Sequence, residues 1–85
     1  MDELREKLER YIANARPAFA GIEAISDGGV KVKDTAECYF SDALHFMEEG
    51  ELVNAFAALE YAEGWLDSGI VLGVVKAPGK NPGDY

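Results

Sequence analysis

Apolar residues recur at steps of three and four in three separate stretches of this chain, and the stretches are divided by glycine. That spacing places side chains on one face of a helix, because an α-helix turns once every ~3.6 residues. No stretch of comparable length alternates apolar and polar residues as a half-buried strand would. A chain of 85 residues has room for one small domain. The expected fold is therefore all-α, an up-down-up three-helix bundle, since short connections join antiparallel neighbours.

The first segment is expected to run from residue 2 to 26. Its stripe is Leu4, Leu8, Tyr11, Ala15, Ala18, Phe19, Ile22 and Ile25. Pro17 removes a backbone donor and crowds the preceding turn, yet the stripe stays in phase across it, which predicts one kinked helix. Gly28-Gly29 is read as its stop. The second segment, 33–49, starts at Asp34 with Glu37 three residues on, in the manner of a capping box. Its apolar face holds Val32, Ala36, Tyr39, Phe40, Ala43, Phe46 and Met47, and Leu44 widens it. The third, 51–72, carries one stripe through Leu52, Ala55, Phe56, Leu59, Ala62, Leu66 and Ile70. A second stripe runs through Ala58, Tyr61, Trp65 and Leu72. Gly64 and Gly69 weaken this helix by roughly 1 kcal/mol each relative to alanine, unless they permit close approach. The domain is expected to span 1–75. The remaining residues, 76–85, hold two prolines and two glycines and are expected to form a mobile tail. The last part of the run Ile70 to Val75 is expected to pack back over the end of the first segment.

Charge is unevenly distributed. Sixteen acidic residues face eight basic ones, a formal net charge of −8. From Asp34 to Val75 there is no Lys or Arg, whereas Asp34, Glu37, Asp42, Glu48, Glu49, Glu51, Glu60, Glu63 and Asp67 all fall there. Nucleic acid is excluded as a partner, because phosphate binding needs clustered cations. A membrane-surface role is excluded because anionic lipid repels acidic polar faces, and no run of ~18 apolar residues spans a bilayer. One cysteine leaves no internal disulfide and no multi-cysteine zinc site. With a charged N-terminus in place of a secretory signal, the cytoplasm is the expected location. The acidic hairpin suits a basic protein partner; the plainer reading is a solvated surface.

The stretch from Ala36 to Gly69, 34 residues, has the length of one tetratricopeptide unit. It resembles such a unit at Tyr39, Ala43, Phe46, Gly50, Ala55, Leu59 and Ala62, where small residues let two helices approach and large ones fill the gap. It departs at Asp42, where leucine is usual, and at Asp67, where proline is usual. The segment YFSDALHFMEEGELVNAFAALEYAEGWLDSG is similar to the archaeal domain-of-unknown-function family 357. The pattern falls on Tyr39, Asp42-Ala43, Phe46, Gly50, Ala55-Phe56, Tyr61-Ala62, Gly64 and Leu66-Asp67. The resemblance implies a three-helix bundle in an archaeal cytoplasm. It supplies no substrate, cofactor or catalytic residue.

Four features are candidate sites. Cys38, Asp42, His45 and Glu49 share one side of the second helix, and all three residue types ligate transition metals. Four residues along a single helix cannot enclose a tetrahedral ion, so a metal would need a second helix or subunit. Asp42 borders the apolar face, where a half-buried carboxylate needs a donor. Hydrogen bonding to Tyr39 or Tyr61 would let it fix the packing of the second and third helices. Asp67, its counterpart in the third helix, is a candidate for partner contact, as are Asp42 and Glu49. Tyr61 and Trp65 are either core, since each helix of a bundle touches two neighbours, or exposed anchors for a partner or a second copy. No Ser-His-Asp pattern or phosphate-cradling loop is present, so no catalytic residue and no cofactor are expected. The expected role is a protein-interaction or regulatory module, taking a basic partner or self-associating as a homodimer. The alternatives are a small-ligand or metal-binding protein and a non-catalytic subunit stabilising a larger complex.

Overall fold

Three helices and a two-stranded ribbon follow one another in a computed structural model that describes residues 2–85. The order is α1 (Asp2–Ala20), β1 (Glu23–Ala24), α2 (Asp27–Glu48), α3 (Leu52–Val71) and β2 (Val75–Lys76), ending in a short 3-10 turn at Pro82–Asp84. The molecule is elongated, 40 × 22 × 17 Å. The three-helix bundle expected from apolar spacing is the observed architecture.

The hairpin of α2 and α3 is its spine. Ala36, Ala43, Ala55, Ala58 and Ala62 are all buried, so the two helices approach through methyl groups. Leu59, Leu66 and Ile70 fill the space beside them. The connection is closed by Gly50, whose φ of +76° only glycine adopts freely. The Glu51 N–H donates to Phe46 O and the Gly50 N–H to Met47 O, a Schellman cap that satisfies the last carbonyls of α2. The same device ends α3: Gly73 has φ +73°, its N–H donates to Ile70 O, and that of Val74 donates to Gly69 O.

Helix α1 runs antiparallel to α2. Arg5 lies beside Gly50 at one end, and Phe19 stacks on Phe40 at the other, with ring centroids 4.4 Å apart. Leu8, Ile12, Ala18, Phe19 and Ile22 are buried. Tyr11 and Leu4, expected in the stripe, sit at its exposed margin, and Ile12 takes the inward position instead.

The end of α1 departs from expectation. The helix stops at Ala20 rather than Ser26, and Pro17 lies in its last turn. The chain turns at Gly21, where a Cβ would meet the Pro78 ring at 2.7 Å. It then becomes extended, with Glu23 opposite Lys76 and Ala24 opposite Val75 in an antiparallel ladder. The Ile25 N–H adds a 2.8 Å bond to Val74 O. Ile25 keeps helical phase in the sequence but is exposed. Long-range strand pairing satisfies this backbone in place of a further helical turn.

The Gly28-Gly29 pair has the opposite role to the one expected. It opens α2 rather than closing α1. Ser26 is the N-cap residue in an extended conformation, and its carbonyl accepts from the N–H groups of Gly29 and Val30. Asp27 in the first turn complements the helix dipole. Gly29 is buried under the incoming C-terminal strand, and a Cβ there would lie 1.9 Å from Val74 O. Asp34 and Glu37 consequently stand inside α2, not at its start. Gly69 likewise permits close approach, between Val32 and Val75, whereas Gly64 has nothing within 4 Å of its would-be Cβ. The last part of the run Ile70 to Val75 does pack back as expected: Val75 is buried and pairs with Ala24.

Candidate functional site

Residues 76–85, expected to form a mobile tail, continue from β2 along the flank of α3. Gly79, at φ +77°, turns the chain, and an isolated bridge joins Ala77 to Lys80. Lys80 Nζ then donates to Asp67 Oδ1 at 2.7 Å and to Glu63 Oε2 at 3.0 Å. The Tyr85 hydroxyl donates to the same Asp67 oxygen at 2.6 Å. Burial opposes the Lys80 charge, but the hydrogen bonds and Coulomb attraction of the two carboxylates outweigh it and hold the ammonium pKa well above the ordinary lysine value. Burial and the hydrogen bond to Asp67 push the Tyr85 phenol upward too, against the opposing pull of Lys80. Asp67 therefore anchors the tail. Nothing in the local pattern around Lys80, a cation among Pro and Gly, signalled this contact.

The other acids of the hairpin are less engaged. Glu37 pairs with Lys33 at 3.6 Å, Glu49 with His45 at 3.4 Å, and Glu51 accepts from Asn54 at 2.8 Å. Among the described residues, Asp34, Asp42, Glu48 and Glu60 form no ion pair, and all four are exposed. The expected bond between Asp42 and a tyrosine is not formed. Asp42 is exposed, and Tyr39 instead stacks on Tyr61 with centroids 5.3 Å apart. Aromatic stacking and buried alanines hold α2 against α3 without a carboxylate.

The Cys38, Asp42, His45 and Glu49 face is exposed throughout. Eleven helical steps at ~1.5 Å each separate its ends by ~16 Å, too far for one ion. Among the described residues no group of three or more His, Cys, Asp or Glu is placed to hold a metal. The geometry brings together only His45 and Glu49.

The second stripe of α3 is divided by the fold. Ala58 faces inward, but Tyr61 is 62% exposed, Trp65 38% and Leu72 73%. Val53 and Val71 are exposed beside them. Three small residues on this face, Ala57, Gly64 and Ser68, leave an open depression of about 690 Å³ between the two aromatics, edged by Glu60. A second, larger groove lies between α1, α3 and the tail, where Tyr11 and Phe56 face Glu63 and Lys80. Phe56, placed by spacing among core residues, is 41% exposed there.

The model of the family described as "Protein of unknown function (DUF357)" matches residues 5–75. The crystal structure of protein AF1782 from Archaeoglobus fulgidus, assigned to the same family, is similar to this chain with a TM-score of 0.75 and 29% identity. The similarity covers 89% of this chain and 95% of that one. No curated protein matches the sequence significantly.

Proposed function

The chain belongs to the DUF357 family of proteins of unknown function, and we propose that it is a protein-interaction module whose acidic hairpin receives a basic partner. The observation that carries this reading is the segregation of charge on a close-packed helical hairpin. Asp34, Asp42, Glu48 and Glu60 project from α2 and α3 with no ion pair among the described residues, and no Lys or Arg lies between Asp34 and Val75. Complementary charge speeds encounter and disfavours wrong partners. Among the described residues the one cation seated on α3 is Lys80, so the hairpin accommodates an ammonium group in its own fold. An exposed free thiol at Cys38 suits a reducing compartment, and the similarity to an archaeal protein fits an archaeal cytoplasm.

The test is retention of proteins from native-host lysate on immobilised protein at low salt, followed by a salt gradient. The control column carries the quadruple variant Asp34→Asn, Asp42→Asn, Glu48→Gln and Glu60→Gln. A basic protein held by the native chain, released as salt rises and lost on the variant, supports the reading. Equal retention on both columns, or no enrichment over a charge-matched control protein, overturns it.

A further inference from the structure

The outer face of α3 is free of charge for its whole length. At 100° per residue, Val53, Ala57, Tyr61, Gly64, Trp65 and Leu72 fall within one arc, and no acid or base lies among them. The face runs ~28 Å, about five helical turns. It is bordered by carboxylates on both sides. Glu60 follows one edge on α3, and Glu63 and Asp67 beyond it share Lys80, the one cation there among the described residues, so this edge keeps a net negative charge. Across the other edge lies α2, brought alongside by the Tyr39–Tyr61 stack. There Asp34 and Asp42 share a surface depression with Tyr39, and among the described residues Lys31 is the one cation lining it.

From this placement we infer that the α3 face is a docking groove for an amphipathic helix of a basic partner, with apolar residues at i, i+3, i+4 and i+7 and Lys or Arg on either side. The inference rests on the proposed interaction role and names the part of the partner that is bound. Tyr61 and Trp65 are the large, amphipathic side chains that anchor interfaces. Gly64 between them is the notch. Its would-be Cβ has nothing within 4 Å, and its φ is not positive, so neither packing nor backbone geometry within the chain requires glycine. Glycine in an exposed helix interior weakens the helix. A bulky apolar side chain of the incoming helix fits there, in the helix-in-groove manner. The acidic borders choose among occupants. A second copy would bring carboxylates against carboxylates along both edges, and an anionic lipid surface would be repelled. A helix with basic flanks meets opposite charge on each side.

The test uses synthetic 18-residue peptides without tryptophan, so that Trp65, the one tryptophan of the chain, reports alone. The first peptide places leucines at i, i+3, i+4 and i+7 with lysines flanking them. The second has the same composition with the leucines scattered, and the third has glutamate in place of lysine. The expected result is a saturable blue shift of Trp65 fluorescence with the first peptide. Its affinity should fall at least tenfold in Gly64→Leu, at least tenfold for the scattered peptide, and with rising salt. Circular dichroism melting confirms that Gly64→Leu is folded. Gly64→Phe is the second variant, read in the same way. Equal binding of the scattered peptide overturns the groove but leaves the acidic-partner reading, which the salt-gradient retention judges independently. Equal binding of the glutamate peptide, or no Trp65 shift with any peptide, also overturns the inference. So does a shift with zwitterionic phospholipid vesicles. A concentration-dependent dimer in sedimentation, abolished by Gly64→Leu, would assign the face to a second copy and overturn it.

Discussion

Replacing Gly29 by alanine should do far more damage than its size suggests. The added methyl carbon would lie 1.9 Å from Val74 O and 2.9 Å from Val74 C, both backbone atoms. Ordinary contact begins near 3.4 Å, so the strand must retreat by about 1.5 Å; overpacking of this kind costs ~1–3 kcal/mol. Val74 O also accepts the 2.8 Å bond from the Ile25 N–H, and a displacement of that size breaks it, a further ~1 kcal/mol. Against this, alanine restores at most ~1 kcal/mol of helix propensity in the first turn of α2. The balance is a loss of about 1–3 kcal/mol, which for a domain of this size lowers Tm by roughly 5–25 °C. Far-UV circular dichroism melts measure it. Two controls fix the cause. Gly28→Ala, whose Cβ would meet nothing nearer than Ser26 Oγ at 4.0 Å, should melt close to the native chain. Gly64→Ala should gain up to ~1 kcal/mol, because it sits in open space on an exposed helix. Gly29→Ala and Gly28→Ala melting together would refute the claim that the C-terminal strand crosses Gly29.

Other perturbations follow from the same contacts. Gly69→Ala places a Cβ 2.7 Å from both Val32 Cγ1 and Val75 Cγ2; these are side-chain tips that can yield, so the loss should be smaller than at Gly29, ~1–2 kcal/mol by thermal melting. Lys80→Met should release the tail from Glu63 and Asp67, seen as faster amide hydrogen exchange at Lys80 and Asp84, whose N–H groups donate to Ala77 O and Asn81 O. Because the Lys80 pKa is raised on folding, its stabilisation is complete below the ordinary lysine value of 10.5 and is lost as pH climbs through the higher folded-state value. The stability difference between the native chain and Lys80→Met should thus be constant from neutral pH to about 10 and shrink only in stronger alkali. Asp42→Asn should leave Tm unchanged, within ~0.5 kcal/mol, since the side chain is exposed and makes no hydrogen bond among the described residues.

The hairpin was readable from local spacing because its two helices are bound by near-neighbour periodicity and its turn by a single glycine. Ala43, Ala55 and Ala62 occupy the close-packed positions their size implied, and Gly50 makes the turn. The end of α1 was not readable. Ile22 and Ile25 hold helical phase, and the residues that convert this stretch to strand, Val74 to Lys76, lie about fifty positions away. Gly28-Gly29 carried the right residue type for two opposite reasons: glycine ends helices, and glycine also lets a strand cross one. Only the position of Val74 decides between them. Tyr61 and Trp65 were ambiguous for a similar reason. A broad apolar face implies two neighbours, but α1 docks through Phe19 on Phe40 and leaves the outer side of α3 bare. Lys80 was invisible because an ion pair between a Pro- and Gly-rich tail and α3 leaves no periodic trace.

The most direct test of the proposed surface is site-specific photo-crosslinking in the native host. A benzophenone amino acid placed at Ala57 or Ser68, both exposed on the α3 face, is compared with one at Glu9 or Arg10, both exposed on α1. The account predicts a covalent adduct with a basic protein from Ala57 and Ser68 alone, joined through a helical segment with apolar and cationic faces and abolished by Gly64→Leu. Adducts of equal yield from Glu9 or Arg10, or none from the α3 positions, would contradict it.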